Sequence, residues 1–259
     1  MPLFLLDGEY LGAVWAQNWP LGAFFLVVLA AFNAFFLSNW KLFALVESED
    51  WAALAAWLDD RIFKKGRYNR RYVRLFINAS LLRSDLAAVR RLEDELSANK
   101  PAAVRRDAVA FAAARLLGQD HEGAERFIAS LEGHAGGDNA SWLSFYHAFS
   151  LVLLKRTQDA APALEALLGA KDRVLSLLSA YLLGSLCAAG ASGSERERLS
   201  GLAQARKAAL AARYTPAAWA RETERAKGEV HIVLLSRLID DAGTWLFDGS
   251  GPAGKRQDP

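Results

Sequence analysis

The sequence predicts an all-α fold in which one apolar N-terminal helix is followed by an array of antiparallel helix pairs and a closing C-terminal helix. Three observations lead there. Long stretches rich in Ala, Leu, Arg and Glu favour helix, and no run of alternating Val, Ile and Thr suggests a sheet. No charged side chain lies between Glu9 and Lys41. Beyond that interval a short turn recurs at a nearly constant spacing, the signature of stacked helical repeats.

The apolar interval comes first. Its core, Leu21 to Trp40, is twenty residues long, and twenty helical residues rise about 30 Å, the thickness of a bilayer's hydrocarbon core. Trp15 and Trp19 at one end and Trp40 at the other suit the aromatic belts at the two membrane interfaces. Pro20 fits a first helical turn. The segment lacks a basic residue ahead of the apolar stretch and a small-x-small cleavage site behind it, which argues against a removed secretory signal. The expected organisation is a short extramembrane N-terminus over 1–19, a transmembrane helix over 20–41, a repeat domain over 42–247 and a disordered tail over 248–259. Asn33, at mid-membrane, either bonds a partner helix or is tolerated alone.

Orientation follows from charge. Asp7 and Glu9 precede the helix, whereas Lys41 and a basic cluster follow it, so the repeat domain of a single-pass cell-membrane protein is expected in the cytoplasm. Much of the cluster lies beyond the window where this rule is strongest, and a periplasmic repeat domain is the alternative.

The turn appears as Leu81-Leu82-Arg83-Ser84-Asp85, as Leu116-Leu117-Gly118-Gln119-Asp120, and more loosely from Leu153 to Asp159. Asp50, Asp85, Asp120, Asp159 and Ser194 are the expected helix caps, since a short side-chain oxygen satisfies the free N–H groups of a first turn. Asp50 opens a helix with a Trp51, Leu54, Trp57, Leu58, Ile62 stripe that ends at Gly66, and Arg70 to Leu82 pairs with the helix after Asp85. Pro101 starts the next unit, one helix running through Val104, Ala108, Phe111 and Leu116. After a Gly-rich hinge at 133–138 come an apolar helix carrying Trp142, Phe145, Tyr146 and Phe149 and its partner from Asp159. A fourth pair spans Val174 to about Arg213, and one last helix runs from Pro216 toward Trp245. Because Asp50 falls directly after the apolar helix, that helix is expected to serve as the first of the array.

The small residues near the start of each second helix are Ala52-Ala53, Ala87-Ala88, Gly123-Ala124 and Ala161 or Ala163. Large apolar residues follow at Trp57, Leu92 and Phe127, and Pro101 stands near a unit end. In these positions the chain resembles the tetratricopeptide family over about 42–213, without the usual Trp-Leu-Gly-Tyr combination of its first helices. The resemblance implies a tetratricopeptide-like (TPR-like) α-solenoid whose groove binds peptides or partner helices. In its layout, and in the stretch from Glu49 to Leu58, the chain is also similar to membrane proteins of the spirochaete periplasmic flagellar motor collar.

Nothing in the sequence points to catalysis. There is no phosphate-binding Gly-rich loop, no His-Glu-x-x-His and no nucleophile elbow. His121, His134, His147 and His231 are scattered without ligand spacing, so no metal or other cofactor is expected. Cys187 has no partner within the chain and reads as a buried core thiol. The neighbouring acids Asp59-Asp60, Glu93-Asp94-Glu95 and Asp240-Asp241 read as solvated faces. With a formal net charge of +2 the chain is no electrostatic trap for nucleic acid.

One constellation rises above this background. Arg61, Lys64, Lys65, Arg67, Arg70, Arg71 and Arg74 are interleaved with Phe63, Tyr68 and Tyr72 and contain no acid. One helix beyond the membrane, they form a candidate patch for anionic lipid or an acidic partner segment, weighed against a merely solvated face. The expected function is a membrane-anchored scaffold that recruits or assembles protein partners. The alternative is a structural subunit of a bacterial envelope machine, such as a flagellar motor or secretion complex.

Overall fold

A computed structural model describes residues 8–131, 138–227 and 230–248. Residues 1–7, most of the Gly-rich segment at 132–137 and the tail from 249 lie outside the described residues, as does the Trp15 side chain. Every element is helical, and no strand occurs among the described residues. The chain divides into two units, Met1–Ala56 and Trp57–Pro259.

The first unit contains α1 (Gly8–Glu47), forty residues long. Pro20 lies inside this helix, not in its first turn, because the residues from Gly8 already form helix ahead of it. Phe24, Phe25, Leu26 and Val27 occupy successive positions about 100° apart around the axis, and all four are exposed. Leu29, Phe32, Phe36 and Leu37 are exposed as well, so over 18–41 the helix is apolar on every side with no residue buried, and only Leu42 near its end is covered. No residue of its most apolar 18-residue stretch is buried. Trp19 and Trp40, both exposed, stand about 31 Å apart along the axis. Asn33 Nδ2 donates to Leu29 O at 2.9 Å and Asn39 Nδ2 to Phe35 O at 2.8 Å, so both amides are partly satisfied within their own helix.

Beyond α1 the chain enters α2 (Trp51–Asp59), which continues into a π-turn over Asp60–Lys64. The second unit then holds α3 (Arg70–Leu82), α4 (Leu86–Asn99), α5 (Pro101–Arg106), α6 (Ala108–Leu117), α7 (His121–Ala129), α8 (Asp138–Leu153) and α9 (Thr157–Leu167). It ends with α10 (Arg173–Leu182), a π-turn at Leu183–Cys187, α11 (Ala188–Gly190), α12 (Gly193–Ala211), α13 (Pro216–Ala226), α14 (Val230–Leu234) and α15 (Ser236–Phe247). Neighbours in sequence are neighbours in space: α3 packs on α4, α4 on α6, α6 on α7, α7 on α8, α8 on α9 and α9 on α10. The first helices of successive pairs also touch, α6 with α8 and α8 with α10. A core of aromatic and aliphatic side chains runs through them, including Phe111, Phe145, Tyr146, Leu164 and Leu175. Arg173–Gly190 is apolar and long enough to cross a bilayer, but most of it is buried here and it serves as a core helix.

The recurring turn has one geometry. Glu49, Ser84, Gln119 and Lys155 all adopt left-handed φ values of 52–61°, at spacings of 35, 35 and 36 residues. At the last three copies the following residue donates its N–H back to a carbonyl five residues earlier: Asp85 to Ser80, Asp120 to Arg115 and Arg156 to Leu151, at 2.8–3.0 Å. These are Schellman-type helix ends, which consume free carbonyls while reversing the chain. The next helix is then capped. Asp50 Oδ1 accepts from Ala53 N–H at 2.9 Å, Asp85 Oδ1 from Ala88 N–H at 3.1 Å and Asp120 Oδ1 from Gly123 N–H at 3.1 Å.

Two expected caps are corrected. Asp159 sits in the first turn of α9, while Arg156 holds the cap position because this turn is in register with Lys155, four residues before the Asp used to align it. Ser194 lies inside α12, whose cap position is Ser192, since left-handed Gly193 turns the chain earlier. Asn69, Asp172 and Thr215 cap α3, α10 and α13 instead.

Two further differences concern helix continuity. The helix expected after Pro101 breaks at Asp107 into α5 and α6, where a buried carboxylate draws Arg106 to 2.8 Å and Arg74 to 3.7 Å. The single closing helix is three helices. With a turn at Leu235, α14 packs on α6 while α15 packs on α10 and α12.

Of the neighbouring acids at 93–95, Glu93 leaves the solvated face and Glu95 is half-buried. Glu93 is buried and meets Arg115 at 2.7 Å, and Glu95 accepts from the Tyr68 hydroxyl.

Candidate functional site

The basic constellation separates once folded. Lys64 and Lys65 pair with Asp60 at 3.5 and 3.0 Å, and these two cations hold the Asp60 carboxyl below its ordinary pKa. Arg61 stacks on the Trp57 ring at 4.8 Å. Arg67, Arg70 and Arg71 are exposed, and Arg74 turns toward Asp107. The interleaved aromatics belong to the packing. Tyr72 is buried edge-on against Trp57, Phe63 lies edge-on against Phe76, and Tyr68 reaches Glu95, which raises the phenol's pKa.

Arg74 instead joins groups that are far apart in sequence. With Asn78, Arg106, Asp107, Asn139 and His231 it lines a cleft of about 350 Å³. The polar residues come from α3, the α5–α6 break, the start of α8, and α14. Asp107 is held by Arg106 Nε and Nη2 at 3.1 and 2.8 Å, and Asn139 Nδ2 donates to Arg106 O at 3.3 Å. Two guanidinium groups thus face one buried carboxylate, leaving positive charge beside two amides. His231 is buried on the Trp142 ring edge, 4.9 Å between centroids, while its backbone carbonyl accepts from the Tyr146 hydroxyl at 3.2 Å. Burial, and then the Arg74 charge, push its imidazole down to about 4, so it is neutral at physiological pH.

A second recess, about 340 Å³ and mainly apolar, is lined by Leu117, Phe149 and Leu153 together with Leu234 and Leu235 at the end of α14. Leu82, Leu117 and Leu153 hold the same place in their turns, two residues before the left-handed residue, and all three are exposed. These features suit recognition of a segment with both apolar and anionic groups.

The second helices of successive pairs are joined by a series of ion pairs. Asp59 meets Arg91 at 2.8 Å, Arg90 meets Asp120 at 3.2 Å, Glu125 meets Arg156 at 2.9 Å and Glu165 meets Arg198 at 2.9 Å. No set of three or more metal-ligating side chains gathers among the described residues. Cys187 is buried, and burial pushes its thiol up to about 11.

Of the cleft residues, sequence reasoning singled out only Arg74. Asn78, Arg106, Asp107, Asn139 and His231 carry no motif, since the cleft exists only once α14 folds back.

A family described as uncharacterised Treponema protein matches residues 88–248. The chain is also similar to an uncharacterised protein of Treponema pallidum (strain Nichols), 30% identical over 246 residues, covering 91% of this chain and 78% of the relative. No solved structure gives a significant match.

Proposed function

The chain belongs to the uncharacterised Treponema protein family, and from its architecture we propose that it is a single-pass membrane-anchored scaffold that recruits or assembles protein partners through a TPR-like helical array. The observation that carries this reading is the presence, in one chain, of an all-round apolar exposed helix and a turn repeated every 35 or 36 residues. A forty-residue helix with Phe and Leu on every face has no low-energy place in water, whereas a bilayer accommodates it. The repeated pairs, with first helices in mutual contact and second helices joined by ion pairs, are the makings of a solenoid.

In this reading the partner segment lies along the first helices, with anionic groups toward Arg74 and Arg106 and apolar side chains toward Leu117 and Leu153. The face is partly covered by α14, which contributes to both the cleft and the recess. The charge distribution after α1 favours a cytoplasmic array.

The test is photo-crosslinking in native membranes from probes at Asn78 and Leu117, with alkaline extraction as the membrane control. A scaffold remains in the alkali-resistant pellet and gives discrete partner adducts from both probes. Release by alkali removes the anchor, and the absence of adducts removes the scaffold. The second reading, a subunit of an envelope machine such as a flagellar motor collar, rests on the anchor-then-repeats layout. It requires the chain to remain in a large detergent-stable complex, and a chain that runs alone in detergent excludes it.

A further inference from the structure

We propose that Arg206, together with Arg173 and Arg213, forms a binding site for a phosphate-type oxyanion where α10 meets α12. Arg206 is oriented from one side. Its Nε donates to Ser176 Oγ at 2.7 Å, and the Ser176 hydroxyl donates in turn to Leu168 O at 2.6 Å. The neighbouring Arg206 Nη2 is buried and meets no acceptor among the described residues. A buried charged donor without an acceptor is costly, and proteins seldom retain one without a use.

The surroundings deepen this need. Arg173 lies three residues before Ser176 on α10, on the same helix face, and Arg213 lies in the turn just beyond the end of α12, where its N–H donates to Leu210 O at 3.0 Å. Burial, and then the charges of Arg173 and Arg213, hold the Arg206 guanidinium below its ordinary pKa. Among the described residues none of the three pairs with a carboxylate, although Arg74, Arg90, Arg91, Arg106, Arg115, Arg156 and Arg198 all do. The adjacent acid is already engaged, for Asp172 accepts from Leu175 N–H and from Trp142 Nε1, both at 3.1 Å.

Like charges gathered around an unsatisfied guanidinium donor are stabilised by an anion with several acceptor oxygens. The planar fork of arginine matches a phosphate group. Free phosphate and the headgroup of an anionic phospholipid share this chemistry.

The experiment uses the full chain in two arms. In nonionic detergent, thermal unfolding is followed during titration with inorganic phosphate, with chloride at matched ionic strength as the control. In nanodiscs, unfolding is compared between phosphatidylcholine alone and phosphatidylcholine with phosphatidylglycerol. The wild-type chain is expected to gain stability saturably in at least one arm, and Arg206→Gln to weaken the response about tenfold or more. Arg213→Gln, at an exposed position, weakens it as well and decides the matter if Arg206→Gln fails to fold. A response to phosphate alone identifies a free anion, and one to phosphatidylglycerol alone identifies a headgroup. No saturable response in either arm, or equal responses in wild type and variants, overturns the site.

Discussion

Arg115 of α6 places Nη2 2.7 Å from Oε1 of the buried Glu93 on α4, and its Nη1 lies 3.3 Å from the cap residue Asp120. One guanidinium on α6 therefore reaches both α4 and the cap of α7. The Arg115 stem is also covered, with its charge 5.1 Å from the Phe127 ring centroid.

Removing the buried partner leaves a partly desolvated charge. Glu93→Ala is expected to lower stability by about 2–3 kcal/mol, and Glu93→Gln by less because one hydrogen bond survives. Chemical denaturation followed by circular dichroism measures both. Equal, negligible losses would show that the pair contributes nothing.

Asp120 and Asp159 were equivalent in sequence and are not in structure. Asp120→Ala removes the bond to Gly123 N–H and the pairs with Arg90 and Arg115, for a loss of about 1–2 kcal/mol. Asp159 caps nothing and its side chain is more than half exposed, so Asp159→Ala leaves the unfolding midpoint nearly unchanged. A thermal melt of each variant separates a cap from a bystander.

The left-handed residues make a prediction of opposite sign. Ser84 and Gln119 hold φ values of 55° and 57° that favour glycine. Ser84→Gly and Gln119→Gly are each expected to raise stability by about 0.5–1 kcal/mol, and Gln119→Val to lower it. Melting temperatures that fall on both glycine substitutions would count against the turn geometry.

His231 gives the array a pH dependence. Its folded value of about 4 lies below the ordinary 6.5, chiefly through burial and secondarily through Arg74, so folding favours the neutral ring. The contribution is complete above about pH 6.5 and is lost as pH falls toward 4, up to roughly 3 kcal/mol. His231→Phe should flatten the stability profile over that window. Unfolding free energies at pH 7.5 and 5 for both chains provide the check, and parallel profiles would assign the slope to other groups.

Much of this was legible in the sequence because it depends on local chemistry. The uncharged run to Trp40 requires a continuous helix, and the Asp50, Asp85 and Asp120 turns declare themselves through a cap residue placed next to its own break. Where the turn chemistry changed, the legibility ended. Arg156 at a cap position looks like nothing in sequence, since its role is carried by Glu125 from the helix pair before it. The basic run from Arg61 to Arg74 likewise looked like one surface, because linear proximity conceals that Asp60, Trp57 and Asp107 each take part of it.

By itself the sequence determined the helical class, the apolar N-terminal helix and the spacing of the recurring turn, because helix propensity, hydrophobic patterning and capping act within a few residues. The tertiary structure alone decided that Arg74 reaches the buried Asp107, that α14 closes a cleft against α6 and that Arg206 Nη2 is buried without an acceptor among the described residues. Those relationships join residues tens to more than a hundred positions apart, and only the packing of helices brings such groups into range.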